Sequence, residues 1–444
     1  SSLSQHQTPN WLKQAKFGIF IHWGLYSVPS WGSVGRSYAE WYWWQLMQKN
    51  SPTYFYHKNT YGEQFEYDDF IDSWNTSTFD AYQWLDLIDA SRAKYYVFTT
   101  KHHDGIALFD TKVTQRSTVH FKQQDFVRQL TEISKTSFPH LKRGLYFSLP
   151  EWYHPSYSDP GYGWHGPPRN AYNDTEIPYT ASTPITDFVN ELQVPQFFEL
   201  IDNYDPDILW CDLNGINNST VWQSKYFNQA REQGKQVAIN DRCGNGISDF
   251  MTSEYQSLYN TPSRFWEATR GIDPYSFGYN HATSPEQYAT TTDLIHELIN
   301  VVANGGNFLL NIGPDSFGNV PIIMRERLIE MGEWLDKVRP SIFDSEPYWI
   351  SVQDTSTPSQ SIRFTIHRQG TSFYIFVLEK PITGRVIIKT PLPLHPNAIV
   401  RLLGDPLNSN LPWKIWNNGR FIIEVPDRVL DILDHAWVFE IHYP

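Results

Sequence analysis

The segment Ile208–Gly215 reads ILWCDLNG and follows the residues YDPD at 204–207. Its first four residues are apolar, a carboxylate follows at Asp212, and Asn214 and Gly215 then favour a turn. A run that is apolar on both faces is typical of a parallel strand covered by helices. Burying a charged carboxylate costs several kcal/mol unless a cation or a hydrogen-bond donor lies beside it. We therefore expect Asp212, at the end of this strand, to lie in a functional site.

Apolar runs of the same kind recur along the first three quarters of the chain and alternate with amphipathic helical patterns. This alternation predicts a (β/α)8-like, TIM-type barrel, with a doubly wound open sheet as the alternative. The sequence contains no G-x-G-x-x-G motif and no P-loop, which weakens a nucleotide-binding version. The predicted strands are 17–23, 94–100, 143–149, 207–211, 236–240 and 307–313, and the clearest helical patterns begin at Ala81, Leu294 and Met324.

The pattern changes after Pro340. Residues 361–390 alternate apolar and polar side chains around Gly and Pro turns, and RFIIEVP and AWVFEIHYP continue this pattern. Short antiparallel strands of this kind predict a β-sandwich. We therefore expect a barrel domain over 1–340 and a C-terminal antiparallel β-sandwich domain over 341–444.

The overall charge and the cysteine content limit the classes of function and compartment. A formal net charge of −13 over 444 residues argues against nucleic-acid or anionic-membrane partners. Neither a run of about 18 apolar residues nor a leader pattern in SSLSQHQTPN is found, so we expect a soluble chain. It would be cytoplasmic, or secreted with its leader already removed. Cys211 and Cys243 lack metal-site spacing, and we expect two reduced, buried thiols.

Polar residues follow at least five of the apolar runs, and in a barrel these positions meet at one mouth. A metal hydrolase is one interpretation, but neighbouring His102 and His103 would point to opposite faces of a regular strand. The other interpretation is a pair of carboxylates acting on a glycoside, for which Asp212 and Glu254 would have to meet across the mouth.

Several motifs together resemble the α-L-fucosidases of glycoside hydrolase family 29. They are FGIFIHWGLYSVPSW, EWY, TTKHHDG, GLYFSLPEW, ILWCDLNG, INDRCG, TSEY, FWEATRGIDPYSFGYN and NGGNFLLNIGP, between about residues 11 and 340. The resemblance implies a retaining exo-glycosidase with a barrel and a C-terminal β-sandwich, acting without a cofactor. It also implies a fucosylated oligosaccharide or glycoconjugate as substrate. A homo-oligomer is among the assemblies that it allows.

The resemblance also assigns roles to individual residues. Asp212 matches the nucleophile and Glu254 the acid/base, with Glu267 as the rival acid/base. We expect Glu267 instead to have a structural role, in an ion pair with Arg264 or Arg270. The residues that match fucose-binding positions are His22, Glu40, Trp41, His102, His103, Tyr146, Trp210, Arg242 and Phe277.

Two other functions compete with an exo-acting, retaining α-L-fucosidase. One is a fucose-binding protein that has lost catalysis, although both proposed carboxylates are present. The other is the same fold acting on a related sugar such as an α-L-galactoside, since an apolar wall rejects an added hydroxyl only modestly. The segment WEATRGIDPYSFGYN resembles the family branch of relaxed specificity, which accepts simple aryl fucosides.

Overall fold

Eight parallel strands form one sheet in the computed structural model, which describes residues 2–215, 217–256, 262–354, 361–381 and 383–444. The first ten strands, including the short hairpin β4–β5, are β1 (Phe17–Ile21), β2 (Tyr95–Lys101), β3 (Lys142–Ser148), β4 (Ser158–Asp159), β5 (Trp164–His165), β6 (Ile208–Asp212), β7 (Ala238–Ile239), β8 (Met251–Glu254), β9 (Trp266–Gly271) and β10 (Gly306–Ile312).

The order of neighbours in this sheet is β7-β6-β3-β2-β1-β10-β9-β8, with every pair parallel. Asn240 and Phe250 form a parallel bridge that joins the two outer strands, so the sheet closes into a ring. Strands follow one another around this ring in chain order, as in a TIM-type barrel. Every residue of β1, β2 and β10 is buried. The prediction of a barrel is confirmed, and the open doubly wound sheet is excluded.

Helices cover most of the strand connections. They are α1 (Asn10–Ala15), α2 (Tyr42–Met47), α3 (Pro52–Thr60), α4 (Phe70–Ser73), α5 (Ala81–Ala90), α6 (Thr118–Lys122), α7 (Phe126–Ser137), α8 (Val194–Tyr204), α9 (Ser219–Glu232), α10 (Thr291–Ala303), α11 (Ile322–Phe343) and α12 (Asp427–Leu430). The three predicted helical patterns correspond to α5, α10 and α11. In contrast, residues 240–250 connect β7 to β8 without a helix. Within the described ranges, no helix combines the length and apolar character needed to span a bilayer.

Two strands, β8 and β9, were not predicted from the sequence. Their sequences, MTSE and WEATRG, are not apolar runs. The two strands pair in register, with Thr252 opposite Glu267 and Glu254 opposite Thr269. Polar side chains therefore follow one another on the inner face of the barrel at this point, which hides the strand pattern that the other segments display.

The C-terminal strands form two antiparallel sheets. The strands are β11 (Ser345–Pro347), β12 (Ile362–His367), β13 (Ser372–Val377), β14 (Arg385–Ile388), β15 (Ile399–Leu402), β16 (Trp413–Ile415), β17 (Phe421–Glu424) and β18 (Trp437–His442). One sheet has the order β11-β12-β13-β18-β15 and the other β14-β17-β16. This arrangement confirms the predicted β-sandwich. Helix α11 continues to Phe343, so the predicted boundary at 340/341 falls within its last turn, and the division into two domains stays a prediction.

The prediction of two free thiols is wrong, because Cys211 and Cys243 form a disulfide with a Cα–Cα distance of 5.0 Å. Cys211 lies near the end of β6, and Cys243 lies in the connection after the neighbouring strand β7. Both residues are fully buried. Their separation of 32 residues gives no sign of this contact, which exists only because the parallel sheet places β6 beside β7.

Candidate active site

A cavity opens at the carboxyl ends of the barrel strands and gathers the side chains predicted from five or more segments. Asp212 ends β6, Glu254 ends β8, and His22 and His102 directly follow β1 and β2. Glu40 and Trp41 come from a short 3-10 helix over Ala39–Trp41. The predicted residues that line the cavity are His22, Glu40, Trp41, His102, Tyr146, Trp210, Asp212, Arg242, Glu254 and Phe277.

Asp212 is held by three hydrogen-bond donors. The Tyr146 hydroxyl donates to Oδ2 at 2.7 Å, Arg242 Nη1 donates to Oδ1 at 2.7 Å, and the backbone N–H of Leu213 donates to Oδ1 at 2.9 Å. Burial alone would raise the pKa of Asp212, but the charge of Arg242, the charge that His103 carries at the low pH where Asp212 titrates, and the hydrogen bonds from Tyr146 and Arg242 lower the pKa to about 2. Asp212 is therefore ionised at neutral pH and aimed at the cavity.

Arg242 joins the two predicted catalytic carboxylates. Its Nη1 lies 2.7 Å from Asp212 Oδ1, and its Nη2 lies 3.3 Å from Glu254 Oε2. Its Nε donates to Thr252 Oγ1 at 2.9 Å, and the guanidinium lies 5.1 Å from the ring centre of Trp210. A single guanidinium group thus contacts both acids, so the structure brings Asp212 and Glu254 together at one mouth although 42 residues separate them in the sequence.

Glu254 has a different environment from Asp212. Its side chain is 36% exposed, against 14% for Asp212, and Arg242 is the cation beside it. Burial raises the pKa of Glu254, Arg242 opposes this effect, and the negative charge of Asp212 raises the pKa further. Two carboxyl groups in one cavity therefore have pKa values displaced in opposite directions, as acid–base catalysis by a pair of carboxyl groups requires.

Glu267, the rival acid/base, does not line the cavity. Its Oε2 accepts a hydrogen bond from the Tyr95 hydroxyl at 2.6 Å, and its Oε1 accepts one from Trp210 Nε1 at 2.9 Å. The side chain is buried inside the barrel, and burial raises its pKa to about 7. The prediction that Glu267 pairs with Arg264 or Arg270 is wrong. Arg270 pairs with Glu297, and Arg264 donates a hydrogen bond to Ser248.

The three histidines of the site are all buried, and burial lowers the pKa of His22 and of His103 to about 4. The pKa of His102 is lowered well below its usual value for the same reason. All three rings are therefore neutral at physiological pH, and each offers one donor and one acceptor nitrogen.

Hydrogen bonds fix the orientation of two of these rings. Asn311 Nδ2 donates to the Phe277 carbonyl, so Asn311 Oδ1 is the acceptor for His22 Nδ1 at 2.7 Å. The Ser148 hydroxyl donates to the Pro150 carbonyl, so His103 Nδ1 donates to Ser148 Oγ at 2.5 Å. In this arrangement Nε2 of each ring is an acceptor, and that of His103 lies 3.7 Å from Asp212 Oδ2.

The prediction that His102 and His103 point to opposite faces of a regular strand is wrong. Strand β2 ends at Lys101 with a register shift between Thr99 and Lys101, so the alternation of a regular strand no longer applies. The centres of the two imidazole rings lie only 3.9 Å apart. His102 lines the cavity, and its buried Nδ1 has no hydrogen-bond partner among the described residues.

Glu40 adds a further buried carboxyl group to the cavity. The backbone N–H of Gly278 donates to its Oε2 at 2.8 Å. Burial raises the pKa of Glu40 to about 8, against the opposing effect of that hydrogen bond. Glu40 therefore carries a proton at neutral pH and can donate a hydrogen bond to a ligand. A charged carboxylate at this position could only accept one.

One side of the cavity is aromatic. The ring of Phe277 lies 5.0 Å from that of His22 and 6.3 Å from that of Phe20, measured between centres. The ring of Trp41 lies 5.3 Å from that of His103. Apolar surface beside several hydroxyl-binding groups suits a sugar that has both polar edges and an apolar face.

Some residues of the site were not predicted from the sequence. Phe20, Tyr38, Leu213 and Thr269 also line the cavity. Asn311 and Ser148, which orient His22 and His103, lie in strand segments that are mostly apolar, NFLLNIG and RGLYFSL. A polar residue within such a run is a usable signal. In contrast, Tyr38 and Leu213 lie in loops whose path cannot be read from spacing.

Among the described residues, no cluster of three or more His, Cys, Asp or Glu side chains is arranged to hold a metal ion. His22 and His103 each use Nδ1 in a hydrogen bond, to Asn311 and to Ser148 respectively. The polar groups of the cavity are arranged around the pair Asp212 and Glu254.

Comparison with known proteins identifies the family. The family model "Alpha-L-fucosidase" matches residues 1–339. The chain is 32% identical to the plasma alpha-L-fucosidase of Homo sapiens over 98% of this chain and 90% of that protein. It is 34% identical to the alpha-L-fucosidase of Dictyostelium discoideum over 88% of this chain and 82% of that protein. The crystal structure of Thermotoga maritima alpha-fucosidase with a mechanism based inhibitor superposes with a TM-score of 0.84, at 32% identity, over 99% of this chain and 98% of that one. The chain belongs to the α-L-fucosidase family of glycoside hydrolases.

Proposed function

We propose that this α-L-fucosidase removes terminal α-linked L-fucose with retention of configuration, through a covalent fucosyl-Asp212 intermediate. The observation that carries the proposal is the contact of one guanidinium group, that of Arg242, with both Asp212 and Glu254. A retaining enzyme needs two carboxyl groups about 5–5.5 Å apart, one ionised and one protonated. A shared guanidinium supports a short separation, and the opposite displacement of the two pKa values supports the division of roles.

In the first half of the reaction Asp212 attacks the anomeric carbon while Glu254 gives its proton to the glycosidic oxygen. The aglycone leaves as an alcohol, and C1 of fucose is bonded to Asp212. In the second half Glu254 takes a proton from water, the water oxygen attacks C1, and the Asp212 carboxylate leaves. The 36% exposure of Glu254 fits this role, since the acid/base must reach both the leaving group and water.

The remaining residues would bind the sugar. The neutral rings of His22, His102 and His103 and the protonated Glu40 supply donors and acceptors for its hydroxyl groups. Trp41 and Phe277 form apolar surface for the C6 methyl group and the face of the ring. Tyr146, Trp210 and Arg242 would act chiefly on Asp212 and its surroundings, since Tyr146 and Arg242 both donate to that carboxylate.

Two competing functions are less well supported. A fucose-binding protein without catalysis does not need two acids in one cavity whose pKa values are displaced in opposite directions, as those of Asp212 and Glu254 are. An α-L-galactoside would place an extra hydroxyl against Phe277, where burial of a polar group without a partner is unfavourable. We also propose the branch of relaxed specificity, which accepts simple aryl fucosides, on the sequence WEATRGIDPYSFGYN alone.

The division into a catalytic part over 1–340 and a sandwich domain over 341–444 is also part of the proposal. It is supported by the cavity, whose described lining residues all precede residue 340. The sandwich packs on the barrel through contacts such as Trp334 Nε1 donating to the Ala436 carbonyl at 3.1 Å. Association of copies, which the family resemblance allows, would be measured by light scattering at several concentrations.

Proton NMR of the first product tests the mechanism directly. Hydrolysis of an aryl α-L-fucoside should release α-L-fucose first, with the β anomer appearing only by later mutarotation. A 2-fluoro-fucosyl fluoride should in addition label the peptide that contains Asp212, which mass spectrometry would detect. Immediate release of β-L-fucose, or a label on another acidic residue, would contradict the proposal.

A further inference from the structure

We propose that the Cys211–Cys243 disulfide is a positioning element of the active site, which holds the segment of Arg242 against the strand end of Asp212. The inference rests on the proposed function of Asp212. Cys211 directly precedes Asp212, and Cys243 directly follows Arg242. The covalent link thus joins the immediate chain neighbours of the two side chains whose contact keeps the proposed nucleophile ionised.

The backbone ladder between the two segments ends before it reaches them. Strands β6 and β7 pair only at Ile208 with Ala238 and at Leu209 with Ile239. Asp212 and Arg242 each lie three residues beyond the last of these pairs. The residues after Ile239 turn away toward β8 without a helix that would hold them in place. The disulfide therefore joins the two segments at a level where backbone pairing does not.

Asn240 strengthens the same junction. Its Oδ1 accepts a hydrogen bond from the Cys211 N–H at 2.8 Å, and its Nδ2 donates to the Cys211 carbonyl at 2.9 Å. Cys243 Sγ lies 3.2 Å from the same Oδ1. The side chain of Asn240 thus replaces a pair of strand hydrogen bonds to Cys211, and the disulfide extends the junction to the residue beside Arg242.

The sulfur atoms lie on the side of the strand that faces away from the cavity. Leu209, Cys211 and Cys243 belong to the core between the sheet and the helices, whereas Ile208 and Trp210 belong to the core inside the barrel. Neither cysteine lines the cavity, and both are fully buried. The disulfide can therefore influence catalysis only through the backbone that carries Asp212 and Arg242.

Loosening this junction has a specific electrostatic consequence. Arg242 is the cation in contact with Asp212, so its retreat would leave burial as the dominant influence on the carboxyl group. The pKa of Asp212 would then rise, and the acid limb of kcat/KM would move to higher pH. The titratable and charged groups that face Asp212 are His22, His103, Tyr146, Arg242 and Glu254.

The test begins with a thiol count. The denatured, unreduced protein should contain no free thiol, and two thiols should appear after reduction. The variant C211A/C243A should then lose between about tenfold and a hundredfold in kcat/KM, the loss that a small misplacement of catalytic groups causes. Its acid limb should move to higher pH, an effect that a merely structural disulfide would not produce.

Leu298→Ala is the matched control. Leu298 is a fully buried residue of α10, distant in the fold from β6 and β7, and its truncation should lower the melting temperature without moving the acid limb. If C211A/C243A does not fold, Cys243→Ser removes the link and places a hydroxyl group of similar size beside Asn240 Oδ1.

Three results decide the proposal. Two free thiols in the unreduced wild-type protein would overturn it, as would a disulfide-free variant whose pH profile matches that of Leu298→Ala. An upward shift of the acid limb confined to the disulfide-free variant would support it. If Asp212→Asn itself retained activity, the proposed function would fail instead, and that result is distinguishable because it does not involve either cysteine.

Discussion

The mouth of the barrel and its interior hold carboxyl groups of opposite character. At the mouth, Asp212 and Glu254 share the guanidinium of Arg242 and line a cavity. In the interior, both oxygens of Glu267 accept hydrogen bonds, from Tyr95 and Trp210, and the side chain is 1% exposed. Burial raises the pKa of Glu267 to about 7, which alone would suggest a general acid.

The comparison separates a raised pKa from a catalytic role. Glu267 precedes Thr269 by two residues on the same inner face of β9, and Thr269 pairs with Glu254. Glu267 therefore lies one layer deeper in the barrel than Glu254. A deeper carboxyl group with satisfied oxygens stabilises the interior, whereas a partly exposed one with a cation beside it can exchange a proton with a substrate.

The largest effect is expected from the nucleophile. Asp212→Asn should lower kcat on an aryl α-L-fucoside by about 10,000-fold or more, because an amide cannot form the glycosyl ester. Asp207→Asn, directly before the same strand, is the control and should keep kcat, since Asp207 binds the Arg143 N–H at the other end of the barrel. Near-normal turnover by Asp212→Asn would remove the basis for assigning catalysis to the mouth.

The next largest effect is expected from Arg242, the cation beside the two carboxyl groups at the mouth. Arg242→Met should lower kcat/KM by roughly a hundredfold to a thousandfold, as expected for the loss of a preorganised charge. Because Arg242 opposes the effect of burial on both acids, its loss raises the pKa of Asp212 and of Glu254 together. Both limbs of the pH profile should therefore move to higher pH.

Arg270→Met is the control for that change. Arg270 is as buried as Arg242 and pairs with Glu297 at 2.7 Å, away from the cavity. Its loss should reduce the melting temperature without moving either limb. If Arg270→Met and Arg242→Met gave the same pH profile of kcat/KM, the contact of Arg242 with both acids would not explain their pKa values.

The smallest effect on activity is expected inside the barrel. Glu267→Gln should change kcat by less than about tenfold but lower the free energy of unfolding by about 1–3 kcal/mol, because an amide cannot accept from both Tyr95 and Trp210. Glu254→Gln should do the reverse, with a loss of about a hundredfold or more in kcat and little loss of stability. Thermal unfolding and steady-state kinetics on both variants would show whether the two layers differ in this way.

The pH dependence of stability sharpens the same contrast. The pKa of Glu267 is raised in the folded state to about 7, so between pH 4.5 and 7 the folded protein binds more protons than the unfolded chain. Its contribution to stability is fully present below its unfolded pKa and is lost as pH rises toward 7. Glu40, with a pKa of about 8, acts in the same direction. Glu267→Gln should flatten part of this decline.

The sequence was sufficient to predict the barrel strands that are apolar on both faces. ILWCD, FGIFI and NFLLNI are buried throughout or nearly so, and the structure confirms each as a strand. The C-terminal sandwich was predictable for the same reason, from the period of two along its strands. The strands β8 and β9 were not predicted, because Glu254, Glu267 and Thr269 place polar side chains on the inner face.

The site was predictable where residues stand at the ends of strands, and less so where contacts cross the barrel. His22, Asp212 and Arg242 follow apolar runs, so their convergence could be inferred from topology. The disulfide between Cys211 and Cys243 could not, because it depends on the adjacency of β6 and β7 and on a helix-free connection. The partners of Glu267 were mistaken for nearby arginines, whereas Tyr95 lies 172 residues away in the sequence.

Rescue by azide is the most direct test of the account. With an activated aryl α-L-fucoside, Glu254→Ala should accept azide on the face opposite Asp212 and yield α-L-fucosyl azide. Asp212→Ala should accept azide on the side of the missing nucleophile and yield the β anomer. Glu267→Ala should show no rescue. The same anomer from both mouth variants, or rescue of Glu267→Ala, would contradict the assignment of the two acids.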